Sequence, residues 1–400
     1  MRILTLAPHP FFQDRGTPIA VRLLVTVLAA AGHEVDLLTF HEGKDVPLAN
    51  VRLHRIPALP GVRNIRPGFS LKKVLCDLVL LWRCVSLVRA GRYQLVHAVE
   101  ESVFIALLVK KLFGIPYLYD MDSSMWRQLQ DKYRWLRLFR GLLSGCERAA
   151  IRQSAGVVAV CRSLEEEALR HQPSRMVLRL EDISLLAPVA DSGTTMDADL
   201  GVPRPFALYV GNLESYQGID LLIESMRILA TEGSPGNLAL VGGNDADIER
   251  YRWTCREMGI EDRVFLLGRR PIEKLGSLLA QADVLVSPRI HGDNTPMKIY
   301  SYLDAGKPIV ATRLPTHTQV LDDEVACLVD PDPVSFCAGL AAVFRDREWA
   351  AVLGRHARVL AQREFTRAAF ERKLTGFYQL LAAGLAGKDA GAAAAPAEKG

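Results

Sequence analysis

Short apolar runs separated by helical patterns recur along almost the whole chain, and this alternation constrains the fold more than any other feature. Residues 1–7, 34–40, 94–98, 117–119 and 156–160 each read as a strand and are followed by stretches with helical periodicity. Repeated strand–helix units of this kind predict a parallel sheet. A second series opens at residues 206–210 and continues through 237–241, 263–267, 283–287, 308–312 and 326–329. Between them lies DSGTTMDADLGVPRP, residues 191–205, polar and rich in turn formers. At 400 residues and 49% hydrophobic content the chain can bury two ordinary cores. The expected plan is an α/β chain with a first Rossmann-like domain over 1–190, a linker at 191–205 and a second such domain over 206–362. A final helix over 363–383 and an Ala/Gly-rich disordered tail over 384–400 complete it.

Residues 288–310, PRIHGDNTPMKIYSYLDAGKPIV, combine a strand exit, a polar loop and a helix start. Asn294, Thr295 and Pro296 supply a capping side chain followed by proline at the first helical position. Amides at that helix end, with Met297 and the Lys298 ammonium, would face a cleft and favour a phosphate. A second copy of the device lies at the N-terminus, where a strand over 1–7 and a loop over 9–16 lead to Thr17-Pro18 and an apolar helix through residue 31. Two such loops at the carboxyl ends of parallel strands could face each other across a cleft holding a nucleotide diphosphate. The alternative is that Thr-Pro merely starts helices. Gly16, lacking Cβ, would let backbone approach a phosphate, or is an ordinary turn.

The series from residue 288 to 312, followed by Leu314-Pro315-Thr316-His317-Thr318-Gln319-Val320, resembles the donor-binding region of the family 4 retaining glycosyltransferases. The likeness runs in order through Gly16-Thr17-Pro18, Leu95-Val96-His97-Ala98, Gly114-Ile115-Pro116, Glu147-Arg148, Tyr209-Val210-Gly211-Asn212-Leu213, Gly268 and Ala282-Asp283-Val284. It implies the GT-B fold, with two Rossmann-like parallel-sheet domains facing a central cleft and the last helix crossing back to the first domain. It also implies transfer of a sugar, of hexosyl type, from a nucleotide-sugar co-substrate with retention at the anomeric carbon.

This chain departs from the family where the donor is held. Registered on Ala305-Gly306-Lys307-Pro308, the usual pair of glutamates becomes Asp293, near the sugar hydroxyls, and Ser301, at the ribose. A serine cannot make the bidentate grip that a carboxylate gives two hydroxyls. The family's arginine and lysine at the pyrophosphate become the neutral amides Asn212 and Gln217. Lys298 would restore one charge, a charged hydrogen bond contributing about 1.5–3 kcal/mol. Residues 180–184, LEDIS, replace another family segment. Arg270 and the backbone beside it would approach the nucleotide base. These changes describe a divergent subfamily, or a non-catalytic nucleotide-sugar-binding or scaffold protein.

On the acceptor side Asp122 takes the position where the family often carries a histidine near the reacting sugar, and would orient or deprotonate an acceptor hydroxyl or cap a helix. His97 reads as a strand-end structural or acceptor-lining residue, and Glu100 and Glu101 as cleft-lining or solvated carboxylates. The expected catalytic set is thus Asp122, Lys298 and Asp293, with leaving-group charge met by helix amides and Lys298 and no metal. An NAD-dependent enzyme is disfavoured because no Gly-x-Gly-x-x-Gly follows the first strand.

Residues 52–152 hold 18 Lys/Arg against 7 Asp/Glu, whereas the remainder is net acidic. Within that stretch residues 74–88, VLCDLVLLWRCVSLV, are strongly apolar but shorter than the about 20 residues of a spanning helix. Lys72, Lys73, Arg83, Arg89 and the ladder Arg127, Lys132, Arg134, Arg137, Arg140 with Trp126, Trp135 and Phe139 could lay the domain on an anionic membrane. Core helices with solvated arginine faces are the alternative, and no motif supports a nucleic-acid partner. The expected partners are a nucleotide sugar and a lipid-linked or surface-glycan acceptor. Seven cysteines without a CxxC pair favour free buried thiols. With no secretory signal read at the start, the expected location is cytoplasmic, peripheral on the inner membrane face.

Overall fold

The computed structural model describes residues 1–13, 16–65, 70–124, 139–186 and 200–393, without side chains at 140 and 387–393. Most of the expected linker and most of the Arg/Trp ladder therefore lie outside the described residues. The chain divides into two compact units, Met1–Glu181 with Phe370–Gly400, and Asp182–Ala369.

The first unit contains strands β1 (Arg2–Ala7), β2 (Glu34–Thr39), β3 (Val51–Arg55), β4 (Leu95–Val99), β5 (Tyr117–Met121), β6 (Gly156–Ala159) and β7 (Val177–Arg179). Among the described residues they form one sheet in the order β3-β2-β1-β4-β5-β6-β7, parallel throughout. Helices α1 (Gly16–Ala30), α2 (Leu71–Ala90), α3 (Val103–Phe113), α4 (Arg140–Gln153) and α5 (Arg162–His171) connect the strands. Central strands are buried on both faces, which is why they run nearly continuously apolar instead of alternating, with His97 the exception in β4. The outer strands β3 and β7, only partly buried, carry arginines and a histidine and were not among the apolar runs expected to be strands.

The second unit repeats the scheme. Strands β8 (Phe206–Gly211), β9 (Asn237–Gly242), β10 (Val264–Gly268), β11 (Val284–Ser287), β12 (Ile309–Thr312) and β13 (Cys327–Val329) lie parallel in the order β10-β9-β8-β11-β12-β13. Its helices are α6 (Ile219–Thr231), α7 (Asp245–Glu257), α8 (Leu275–Gln281), α9 (Lys298–Ala305), α10 (Pro315–Thr318), α11 (Pro333–Arg345) and α12 (Arg347–Glu364). Two apolar clusters, one on each face of this sheet, exclude water from it.

The last helix, α13 (Arg367–Ala393), starts four residues later and ends ten later than the periodicity predicts. Residues 384–393, read from composition as disordered, are helical because alanine has the highest intrinsic helix propensity. From Phe370 the chain belongs to the first unit, and there Tyr378 Oη lies 2.6 Å from His97 Nδ1. The cysteines are free as expected, but Cys146 on α4 is exposed and Cys327 on β13 only half-buried, whereas the other five are buried.

Candidate functional site

In the second unit β8 and β11 are neighbours although β9 and β10 come between them in sequence, so the chain leaves them in opposite directions. Such a switch point opens a crevice at the carboxyl ends of the two strands. The loops that line it are residues 212–218 and 288–297.

These loops are held together by close backbone contact. Gly218 has φ +75°, and a Cβ there would stand 1.9 Å from the Pro288 carbonyl oxygen. Ile290 N–H donates to Tyr216 O at 3.0 Å. Gly211 ends β8 at φ +153°, where a Cβ would lie 2.9 Å from Tyr209 Oη and 3.1 Å from Lys298 Nζ. Any side chain at position 211 would fill the space beside the lysine.

Lys298 is the first residue of α9, whose seat is fixed by Val210 N–H donating to Tyr302 Oη at 2.9 Å. Its ammonium donates to Gln217 Oε1 at 3.2 Å and sits 3.8 Å from the centroid of the Tyr209 ring. Arg289 is 8% exposed. Its Nε donates to His291 O at 2.8 Å, Nη1 to Asn294 O at 3.0 Å and Nη2 to Asn294 Oδ1 at 3.2 Å, and the guanidinium lies 5.2 Å from the Tyr216 ring. Among the described residues neither cation forms an ion pair. Desolvation and the neighbouring Arg289 charge hold the Lys298 pKa well below the ordinary lysine value. Two dehydrated cations without a bonded carboxylate are costly, and an entering anion would relieve that cost.

Other donors surround them. The hydroxyls of Thr295 and Thr316 are buried without a hydrogen-bond partner among the described residues. His317, fully buried, bridges β11 and β12: Nδ1–H donates to Thr312 O at 2.8 Å, which leaves Nε2 to accept from Ser287 Oγ at 2.9 Å. Burial is the largest cause pushing its pKa down to about 3, with Arg289 and Lys298 adding to it, so the ring is neutral.

The expected cap at this helix is not the one formed. Helix α9 is preceded by Met297 without a side-chain cap, while the Asn294 carbonyl and amide oxygens are taken by Arg289. The turn does begin at Pro296, whose carbonyl accepts from Ile299 N–H at 2.9 Å. At the other copy α1 starts at Gly16, ahead of Thr17-Pro18. Ser301 is buried, and its Oγ accepts from Leu185 N–H at 3.0 Å. Asn212 Nδ2 points to Tyr216 Oη at 3.4 Å, and Arg270 is exposed beyond β10. The Asp293 carbonyl accepts from Gln319 Nε2 at 2.8 Å. The structure therefore groups Gln217, Asp293, Asn294, Thr295, Pro296, Met297 and Lys298 at the switch point. It adds Arg289, Tyr209, Tyr216 and His317, which sequence reasoning did not single out. Their signal was positional: Tyr209 stands in β8, Tyr216 and Arg289 in the loops after β8 and β11, and His317 in the short helix after β12.

In the first unit the switch point lies between β1 and β4. Gly16 and Thr17 follow the loop after β1, and Glu100 and Glu101 follow β4. Glu101 pairs with Lys73, and Asp122 stands one residue past β5. His97 is fully buried; its Nε2–H donates to Asp120 Oδ2 at 3.0 Å while Tyr378 Oη donates to Nδ1, so it is tied into the core instead of lining a surface.

Comparison with known proteins fits this architecture. The family Glycosyl transferases group 1 matches residues 204–346, and Glycosyl transferase 4-like domain matches residues 15–179. A D-inositol 3-phosphate glycosyltransferase of Corynebacterium efficiens is 30% identical over 88% of this chain and 87% of its own. Sucrose-phosphate synthase from Thermosynechococcus elongatus superposes with a TM-score of 0.78 at 23% identity, covering 96% of this chain and 99% of that one. Anabaena HepE in complex with UDP-glucose gives 0.69 at 16% identity, covering 95% and 99%. The two Rossmann-like units have the GT-B fold of these structures. With both units matched and a relative this similar along most of its length, the chain belongs to the group 1, family 4 glycosyltransferases.

Proposed function

We propose that this enzyme transfers a hexosyl group, with retention at the anomeric carbon, from a nucleotide-diphosphate sugar to a hydroxyl of a lipid-linked or surface-glycan acceptor. The observation that carries the donor side is the buried pair Lys298 and Arg289 at the β8/β11 switch point, two cations with no carboxylate bonded to them among the described residues. The HepE neighbour in complex with UDP-glucose supports a nucleotide sugar as the ligand.

In this reading the diphosphate lies at the start of α9, held by the Lys298 ammonium, the first-turn amides and the Thr295 hydroxyl. Arg289 shapes the loop that carries them and adds its charge. Asp293 accepts hydrogen bonds from the sugar, and Arg270 flanks the base. As the bond from the anomeric carbon to the diphosphate oxygen breaks, an acceptor oxygen bonds to that carbon from the same face. The acceptor's proton passes to the departing phosphate. Preorganised donors meet the developing charge on the leaving group. Because Ser301 is buried against Leu185, whose N–H its Oγ accepts, ribose recognition falls to other groups.

Thermal stabilisation of the purified chain by UDP, GDP, ADP and dTDP, with and without EDTA, tests the donor site. Stabilisation by one nucleotide that disappears in Lys298→Ala supports it, and no shift with any of them overturns it. Product formation from the matching nucleotide sugar then separates transfer from binding without turnover.

A further inference from the structure

Helix α2 is apolar on two opposite sides. Cys76, Leu80, Cys84 and Val88 enter the core of the first unit. Leu71, Leu75, Leu78 and Trp82 recur every three or four residues, and at about 100° per residue they stand on the opposite side. They are exposed, Leu71 by 76% and Trp82 by 62%. The stripe continues onto the next helix: α3 packs beside α2 and leaves Leu108 and Leu112 exposed, and α4, packed beside α3, leaves Leu142 exposed. A water-facing apolar surface spread over three adjacent helices marks an interaction site, not the scatter of single residues normal on proteins.

The charges around it select the partner. Every exposed ionic side chain described on these three helices is a cation: Lys72, Arg89, Lys111, Arg148 and Arg152. Their carboxylates are few and withdrawn. Asp77 on α2 is half-buried, α3 has none, and Glu147 on α4 is buried, accepting from Tyr119 and Ser124. Two copies meeting through this face would oppose like charges, because a two-fold contact pairs the same patch with itself. A bilayer with anionic headgroups meets both needs, taking the leucines and tryptophan at the acyl boundary and the cations at the phosphates. No helix among the described residues is long and apolar enough to cross a membrane, so the contact is one of surface docking.

We propose that the outer face of α2, α3 and α4 docks the first unit on an anionic lipid bilayer. The inference deepens the lipid-linked acceptor of the proposed function and rests on it for its purpose, although the surface itself is independent of the donor site.

Vesicle flotation tests it, with the full chain and liposomes of phosphatidylcholine alone or mixed with phosphatidylglycerol. An environment-sensitive dye on Cys146, exposed one turn from Leu142, reports insertion. The expected result is flotation with anionic vesicles, weakened by salt, and a blue shift of the dye. Leu78→Gln with Trp82→Gln should weaken partitioning at least about tenfold per residue. Lys72→Glu with Lys111→Glu, which leaves the apolar stripe intact, should remove the preference for anionic lipid. Both pairs should keep nucleotide stabilisation, so loss of the donor reading and loss of this one are separate results. Equal binding to neutral vesicles, no binding at all, or variants that float like the parent overturn the proposal. So does concentration-dependent dimerisation in sedimentation that Leu78→Gln with Trp82→Gln abolishes, which would give the face to a second copy.

Discussion

The ammonium of Lys298 stands 3.8 Å from the centre of the Tyr209 ring while the Lys298 backbone opens α9. One residue thus joins the end of β8, beneath the aromatic ring, to the positive end of a helix. An anion reaching the crevice meets a full charge and a dipole at one place.

Replacing that lysine should separate binding from folding. In the proposed donor complex Lys298→Ala would remove a charge-assisted hydrogen bond, about 1.5–3 kcal/mol, or roughly 10- to 100-fold in kcat/KM. The free protein loses no ion pair and sheds a dehydrated cation, so its urea midpoint should stay level or rise. Unchanged kinetics at low and saturating donor would remove the assigned role.

Ser301 gives the opposite pattern. By family register a glutamate there should tighten donor binding, yet the side chain is 1% exposed and its oxygen accepts from Leu185 N–H. Ser301→Glu forces a carboxylate into closed packing and should cost several kcal/mol, on the order of 3. The expected outcome is a lower melting temperature without higher nucleotide affinity. Tighter nucleotide binding at unchanged stability would show that the pocket can open to a carboxylate.

Stability should also depend on pH through Asp77. Burial, then the nearby Glu101, push its carboxyl up to about 8 against an ordinary value of 3.8, despite the opposing pull of Lys73. Between those values the folded chain binds a proton that the unfolded chain has released, so this contribution is full below 3.8 and is lost as pH rises through 8. Asp77→Asn should therefore stabilise the protein most above pH 8 and least near pH 4. Denaturation curves across that range that shift equally at every pH would rule out the carboxyl as the source.

His317 is a strut instead of a titrating base. It bridges Ser287 and Thr312 in a fully buried position and stays neutral. His317→Ala takes from the Ser287 hydroxyl its acceptor and from the Thr312 carbonyl one of its two donors and opens a cavity, a loss of about 2–5 kcal/mol. Calorimetry should show it, and the pH profile of kcat in the parent should have no limb near 6.5. A limb there that vanishes in the variant would make His317 a titrating participant.

The parallel sheets were legible because strands buried on both faces leave continuous apolar runs. The outer strands β3 and β7 were not, since one of them is Val51-Arg52-Leu53-His54-Arg55, whose half-exposed positions admit charge. The crevice at the β8/β11 switch point was legible from residues 288–298. Its internal wiring was not. Asn294 next to Thr-Pro carries the sequence signature of a helix cap, but a buried guanidinium five residues earlier claims both its oxygens. The role of Ser301 turns on Leu185, 116 positions away, and no local pattern records such a contact.

The hydrogen bond between Tyr378 and His97 spans 281 positions, and it has a consequence for how the chain matures. A ribosome makes Met1–Glu181 first, yet that unit also needs Phe370–Gly400, while Asp182–Ala369 is contiguous. The unit begun earlier is therefore completed after the contiguous one, and until the segment from Phe370 has been made it lacks the tyrosine that meets His97. A chain halted after Ala369 should yield a protease-resistant core from the middle of the sequence and a readily digested first half; equal resistance of both would show that the final helix is dispensable for assembly.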